Sequence, residues 1–381
     1  MKIVKVVISG GGTGGHIYPA VSIAKEIKDR HPDAEIIFVG TERGLESKIV
    51  PKEGFELKKI KVRGLERKMS FSNVVALKEA VVSFFDVSGF LRDFKPDFVI
   101  GTGGYVCGSV LAAAAMMNIP TLIHEQNAFP GVTNKILSRM VDRVALNFAE
   151  AEKYFHNSKK VLVTGNPIRK DIMAVDREQG LREFGYSGSL PLVFVVGGSR
   201  GAKRINESIL PLAKYCAEGK SFQLLHMTGE TQYDDTLENY KKNGINIDDK
   251  FLKVVPYLYN LPYAMAACDI VISRCGAGLL SEITALGKPS VLIPFPYATD
   301  NHQEYNARAL EQNGAAVVIL ERDLNDNILY DEVKNMLNNE ERRRQMGERS
   351  RQLGRTDAAA RIVNAVEELL YSKKRKSRLP S

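Results

Sequence analysis

The chain has 381 residues, enough for two domains with cores of their own. With 44% hydrophobic and 26% charged residues it is an ordinary globular sequence, neither fibrous nor disordered. A net charge of +8 favours phosphate-bearing partners, whether a pyrophosphate substrate, an anionic bilayer or nucleic acid.

The longest small-apolar stretch, residues 106–117, falls short of the roughly 20 residues that a spanning helix needs. The apolar run after Lys2 is too short for a signal peptide. Cys107, Cys216, Cys268 and Cys275 show no CxxC spacing, which argues for reduced thiols and against a zinc site. The basic tail KKRKSR, residues 373–378, reads as a solvated terminus.

In chain order, residues 4–9 form an apolar β-branched strand that runs into GGGTGGH, and residues 19–31 follow as a helix. Residues 35–39 are a strand, 45–53 a helix and 57–62 a strand. A basic loop, 63–70, precedes a helix over 73–94 with a break at Gly89. Residues 96–100 are a strand entering GTGGYVCG, and 110–117 are a helix. A strand at 121–124 leads to HEQN, then a helix covers 131–139, with short strands at 143–146 and 161–163. Gly165-Asn166-Pro167 reads as a hinge.

The pattern then restarts. Strand 192–196 enters GGSRGA, and strands follow at 223–227 and 251–255. Helix 261–267 precedes strand 270–273, and Arg274–Gly278 opens a helix at 279–286. Strand 290–293, a Pro-rich loop, helix 301–313 and strand 317–320 complete the alternation. Charged helices follow residue 327, and the last, 358–371, is expected to lean back on the first domain. Apolar strands alternating with helices predict doubly wound parallel sheets. The two halves share this architecture without a sequence repeat. They are expected to face each other across a ligand-binding cleft.

The chemistry sits in the turns. Residues 10–15 fit GxGxxG, a pattern that also serves a tight strand-to-helix turn or a dinucleotide site, for which Glu42 would be the acidic partner. Two further glycine loops, 101–104 and 197–201, favour two separate phosphate cradles instead. His16 is a candidate base or phosphate donor. The tetrad His124, Glu125, Gln126 and Asn127 suits sugar hydroxyls, with Glu125 a second candidate base; a capped turn is the plain structural reading. Ser199 and Arg169 suit phosphate. Glu282, one turn into a glycine-opened helix, can accept both ribose hydroxyls. Acidic residues are not clustered at cation-binding spacing, so neither metal nor cofactor is expected. A leaving diphosphate would then rest on helix N-termini, loop amides and Arg169.

Together these stretches resemble the MurG family of peptidoglycan N-acetylglucosaminyltransferases. The resemblance rests on GGTGGHIYPA (11–20), GTGGYVCG (101–108), HEQNAFPGVTNK (124–135), GNPIR (165–169), GGSRGA (197–202), residues 274–282 and DNHQEYNA (300–307). It implies a GT-B fold: a first domain, 1–164, facing acceptor and membrane; a donor-binding second domain, 165–349; and a helix at about 350–371 packing back on the first. It implies inverting, metal-independent transfer of N-acetylglucosamine from UDP-N-acetylglucosamine to the C4 hydroxyl of lipid I, giving lipid II.

By that resemblance Thr13, Gly14 and Gly15 line the sugar and diphosphate, and Asn127 and Gln303 bind the sugar. Arg169 and Ser199 hold phosphate, and Leu258 reads uracil through its backbone. Ala277, Gly278, Leu279, Leu280, Ser281 and Glu282 form the ribose segment. Family members usually carry Ser or Ala at position 275 and Thr at 279, so a hydroxyl contact from position 279 is lost here. An apolar stripe, Phe71, Val74, Val75, Val81, Phe84 and Phe85, rimmed by Arg63, Arg67, Lys68 and Lys78, suits peripheral attachment to the cytoplasmic face of an anionic membrane. Other cell-wall synthesis proteins are further candidate partners; nucleic acid is not. The competing readings are a UDP-N-acetylglucosamine 2-epimerase-like enzyme and a non-catalytic nucleotide-sugar binder.

Overall fold

The computed structural model describes residues 5–62, 71–198, 201–247, 249–325 and 327–376. The chain divides into two compact units: Met1–Ile168 with Arg355–Ser381, and Arg169–Gly354.

Unit 1 alternates strands and helices. Its elements are β1 (Lys5–Ser9), α1 (Gly14–Arg30), β2 (Glu35–Thr41), α2 (Glu46–Lys52), β3 (Glu56–Ile60) and α3 (Phe71–Phe94). Then come β4 (Phe98–Gly101), α4 (Val106–Met116), β5 (Thr121–Glu125), α5 (Val132–Leu137), β6 (Arg143–Leu146) and β7 (Val161–Val163). The seven strands form one parallel sheet in the order β3-β2-β1-β4-β5-β6-β7. The winding reverses between β1 and β4, so the loops leaving these strands lie side by side. Their register pairs Ser9 with Gly101, which sets the two glycine loops at one level.

Side chains alternate across this sheet. Val6 and Ile8 pack with Ile17, Ile23 and Ile27 of α1 on one face. Val7 and Val99 pack with Leu91 of α3 and Val110 of α4 on the other. Both faces are covered, which is why the strands read as unbroken apolar runs.

Unit 2 repeats the plan. It comprises α6 (Arg177–Phe184), β8 (Leu192–Val196), α7 (Lys203–Ser208), α8 (Leu210–Gly219), β9 (Gln223–Met227), α9 (Tyr233–Lys242) and β10 (Leu252–Val255). It continues through α10 (Leu261–Ala267), β11 (Ile270–Ser273), α11 (Ala277–Leu286), β12 (Ser290–Leu292), α12 (His302–Gln312), β13 (Val317–Val318), α13 (Ile328–Asn338) and α14 (Glu340–Leu353). Its parallel sheet runs β10-β9-β8-β11-β12-β13, with the reversal between β8 and β11.

The last helix, α15 (Ala358–Lys376), belongs to unit 1. Ile362, Val363 and Val366 complete the core beside α1. Arg30 reaches Asn364 Oδ1 at 2.6 Å, and His31 Nε2 meets Glu367 Oε1 at 2.9 Å. The four cysteines are free and buried.

Four helices begin earlier than the sequence patterns predict, α3 among them at Phe71 rather than residue 73. α1 opens at Gly14 rather than at residue 19, α4 at Val106 rather than 110, and α11 at Ala277 rather than 279. In the last three the turn, rich in glycine and other small residues, hands the chain directly into the helix. The sequence pattern predicts Pro19 as a helix opener; it sits buried in the second turn of α1 instead. α3 runs through Gly89 without a break, because a helix interior tolerates one glycine at a cost of about 1 kcal/mol. Among the described residues no helix is long and apolar enough to cross a membrane.

Candidate active site

The two glycine loops of unit 1 interlock. Gly11 N donates to Gly103 O at 3.3 Å. Gly104 has φ +87, and a Cβ there would lie 2.5 Å from Gly11 O, so only glycine fits. Gly103, at φ +107, leaves room for the ring of His16; a Cβ would sit 2.8 Å from its Cδ2.

Thr13 is the N-cap residue of α1, and its side chain caps nothing. Gly14, Gly15 and His16 form the first turn; His16 N donates back to Thr13 O at 3.1 Å, whereas the amides of Gly14 and Gly15 have no intrahelical acceptor. His16 Nδ1 lies 3.0 Å from Gly11 O and 3.4 Å from Thr13 Oγ1. A carbonyl can only accept, so Nδ1 carries the proton, and in the neutral tautomer Nε2 presents a lone pair. No hydrogen bond from the described residues reaches Nε2.

Behind the loop lies a residue the sequence reading passed over. Glu46, at the start of α2, is 1% exposed. Its Oε1 accepts from Thr41 N at 2.8 Å and Thr41 Oγ1 at 2.7 Å, and its Oε2 accepts from Gly12 N at 3.0 Å. Burial works to raise its pKa, but the N–H groups of Thr41 and Gly12 outweigh it and hold the carboxyl below the ordinary range. Glu42, the acidic residue weighed for a dinucleotide site, is exposed and sits 3.7 Å from Lys59.

The HEQN segment ends β5. Glu125 is 2% exposed, and both its oxygens are occupied. Oε1 accepts from Asn127 N at 3.0 Å and Asn127 Nδ2 at 3.2 Å; Oε2 accepts from Gly131 N at 3.1 Å and Asn134 Nδ2 at 2.8 Å. This is the geometry of a capped turn. Gln126 Nε2 donates to Thr102 O at 2.6 Å and to His124 Nδ1 at 3.1 Å, tying this turn to the loop after β4. His124 is fully buried and donates through Nε2 to Gly165 O at 3.0 Å. Burial pushes its pKa down to about 4, so it is neutral.

In unit 2 the structure brings Arg169 and Glu282 together. Arg169 Nε donates to Glu282 Oε1 at 3.2 Å. Arg169 Nη2 is buried without a hydrogen-bond partner. Burial raises the pKa of Glu282, and the guanidinium works against that rise. Glu282 lies on α11, whose opening is clear: a Cβ at Gly276 or Gly278 would meet nothing within 4 Å. Ala277, Leu280 and Ser281 are buried, and Leu279 is half-buried. Ser281 Oγ donates to Ala277 O at 2.8 Å.

Gln303 Oε1 accepts from Cys275 N at 3.1 Å and from Phe295 N at 3.0 Å. Its carbonyl thus joins the turn before α11 to the Pro-rich loop, and its amide N–H₂ points elsewhere. Leu258 is buried in the loop between β10 and α10 and is not joined to this cluster by a hydrogen bond; β10 stands three places from β11 in the sheet. Ser199 lies outside the described residues.

The expected apolar stripe divides. Phe85 is 67% exposed and Val81 50% exposed, whereas Phe84 packs partly against the core of unit 1. Arg63, Arg67 and Lys68, and the side chains of Phe71, Val74 and Val75, lie outside the described residues.

Two α/β units, each with amide-rich turns at the reversal of its parallel sheet, define a GT-B glycosyltransferase. Residues 6–146 match the glycosyltransferase family 28 N-terminal domain, and residues 192–362 match its C-terminal domain. A protein of Acetivibrio thermocellus named UDP-N-acetylglucosamine–N-acetylmuramyl-(pentapeptide) pyrophosphoryl-undecaprenol N-acetylglucosamine transferase is 51% identical, over 97% of this chain and 99% of its own. A protein of the same name from Caldanaerobacter subterraneus is 51% identical over 96% of this chain and all of its own. The crystal structure of Acinetobacter baumannii MurG superposes with a TM-score of 0.78 at 27% identity, covering 96% of this chain and 99% of that one. The chain belongs to the MurG family, within glycosyltransferase family 28.

Proposed function

We propose that this enzyme transfers N-acetylglucosamine from UDP-N-acetylglucosamine to the C4 hydroxyl of the muramoyl sugar in undecaprenyl-pyrophosphoryl-MurNAc-pentapeptide. The substrates are those in the names of relatives that match nearly the whole chain. The reaction type is supported by one observation: His16 Nδ1 is held by Gly11 O, which makes Nε2 the acceptor nitrogen of the neutral ring, beside two amide-rich turns.

Nε2 takes the proton of the attacking hydroxyl as its oxygen bonds to the anomeric carbon. The bond from that carbon to the diphosphate breaks on the opposite side, UDP leaves with the electron pair, and the centre inverts. His16 is the better-placed base, because Glu125 would have to release four hydrogen bonds to act.

In unit 1, Thr13, Gly14, Gly15 and Asn127 meet the sugar and diphosphate. In unit 2, Glu282 takes the ribose hydroxyls, and the unpaired Arg169 Nη2, with Ser199, suits a phosphate. The amide N–H₂ of Gln303 donates to the sugar, and the backbone at Leu258 reads the base. The opening of α11, Ala277, Gly278 and Leu279, supplies amides to the diphosphate.

Unit 1 also attaches peripherally to an anionic membrane surface. Val81, Val82 and Phe85 of α3, Met116 of α4, and Val132 and Ile136 of α5 are exposed apolar side chains on helices that pack in series. Lys78, Lys135 and Arg139 lie on or beside the same helices, and basic residues near apolar ones favour an anionic interface.

A UDP-release assay with a lipid-linked acceptor analogue tests the reaction. Release should depend on acceptor and yield a disaccharide. Acceptor-independent turnover to an epimerised sugar nucleotide would support the epimerase reading instead.

A further inference from the structure

The peptide group between Gly11 and Gly12 is hydrogen-bonded at both ends. Its N–H, on Gly12, donates to Glu46 Oε2 at 3.0 Å. Its C=O, on Gly11, accepts from His16 Nδ1 at 3.0 Å. A peptide whose N–H faces a carboxylate is polarised, and its carbonyl becomes a stronger acceptor, because hydrogen bonds in a chain reinforce one another. The order is carboxylate, peptide, imidazole, with one amide inserted where a direct acid–histidine pair would have none.

We propose that Glu46 is a positioning residue for His16, acting through the Gly11–Gly12 peptide to keep Nδ1 protonated and Nε2 bare and basic.

Three observations carry this. Glu46 is rigidly held, since Thr41 N and Thr41 Oγ1 fix its other oxygen to the end of β2. The surroundings are shaped to admit the carboxylate: a Cβ at Gly11 would lie 2.8 Å from Oε1, and one at Gly44 would lie 2.0 Å from Oε2. Among the described residues Glu46 forms no ion pair, so its charge is met by hydrogen bonds alone. The described ionisable groups facing the assembly are His124 on β5, Cys107 on α4 and Tyr105 just before α4. Burial keeps His124 neutral, with a pKa of about 4, and keeps the Cys107 thiol protonated, at about 11.

A carboxylate behind an anion-binding loop would weaken that loop if its only effect were through space. Directed at Gly12 N–H, it uses the one loop amide whose carbonyl partner is the imidazole. The remaining amides, on Thr13, Gly14 and Gly15, stay available to a ligand.

The catalytic part of this inference rests on His16 being the base; the coupling itself does not, so the test reads both. ¹⁵N NMR of histidine-labelled protein, with the His16 signal assigned by its loss in His16→Asn, gives tautomer and pKa directly. In the wild type His16 should be the Nδ1–H form. In Glu46→Gln that form should lose its dominance, and the His16 pKa should fall by about half a unit or more. kcat should fall roughly tenfold or more with donor KM nearly unchanged, and the acid limb of the kcat–pH profile should move with the NMR value. Thr41→Val, which keeps the carboxylate and loosens its hold, should shift His16 the same way by less, and serves if Glu46→Gln does not fold. An unchanged His16 tautomer and pKa in the folded variant overturns the proposal. A shifted His16 with unchanged kcat upholds the coupling and removes His16 from the role of base.

Discussion

Arg169 and Glu282 meet at 3.2 Å, 113 positions apart in sequence, so one guanidinium both steadies the proposed ribose acceptor and keeps a buried Nη2 without a partner. Glu282 is 9% exposed, and burial raises its pKa, which Arg169 opposes. Removing Arg169 by Arg169→Ala should let that pKa climb further. As pH falls, donor KM should then begin to rise at a higher pH than in the wild type. Initial-rate kinetics across pH would show it; parallel KM profiles in the two proteins would mean that the pair does not govern donor binding.

Glu282→Gln tests the acceptor itself. Gln keeps the shape but loses the charge, and charge-assisted hydrogen bonds are about twice as strong as neutral ones. Donor KM should rise roughly tenfold, with a smaller change in kcat. A collapsed kcat at constant KM would place Glu282 in the chemical step rather than in binding.

His16→Ala should lower kcat by roughly 10²–10⁴ if the imidazole is the general base. Its melting temperature should stay close to that of the wild type, because His16 is only half-buried. Turnover near the wild-type rate would shift the proton to water or to another group.

The apolar stripe separates into two experiments. Phe85→Ser removes an exposed ring, so it should weaken binding to anionic vesicles and leave stability unchanged. Phe84→Ser removes a ring that packs on the core of unit 1, so it should cost about 1–3 kcal/mol of stability. Vesicle sedimentation together with thermal melts distinguishes them. Equal loss of stability in both variants would mean that Phe85 is not free.

Stability should fall on mild acidification. His124 and His226 are fully buried, and burial lowers their pKa values to about 4 and about 3. Both lie below the value of about 6.5 expected in the unfolded chain, so the unfolded chain binds protons first. Their contribution is complete above pH of about 6.5 and is lost as pH falls toward 4 and then 3, on the order of 3–5 kcal/mol each. Chemical denaturation at pH 7.5 and 5 should show it, and His226→Asn should flatten the dependence. A midpoint indifferent to pH would mean that these imidazoles accept protons without penalty.

Strands β1, β2, β4 and β8 follow from short apolar runs that end at glycine, a local signal that can be read without the rest of the fold. The glycine turns were equally plain as motifs. Their mutual packing was not, because the contact of Gly104 with Gly11 depends on β1 and β4 being neighbours. Glu46 lay hidden for a related reason. It bonds to a residue 34 positions away, and Glu42, four residues earlier, drew attention by its nearness to the strand end. Arg169 and Glu282 were each visible as polar residues in a motif, but a pairing over 113 positions has no local trace.

The four enclosed thiols give each unit its own clock. Cys107 belongs to unit 1, and Cys216, Cys268 and Cys275 belong to unit 2. Enclosure drives Cys107 and Cys268 to about 11 and Cys216 to about 12, so none forms appreciable thiolate while the fold is closed. An alkylating reagent can therefore mark a cysteine only after its own unit has opened. Mass spectrometry of timed aliquots would date the opening of each unit in the untouched natural sequence, without an added probe.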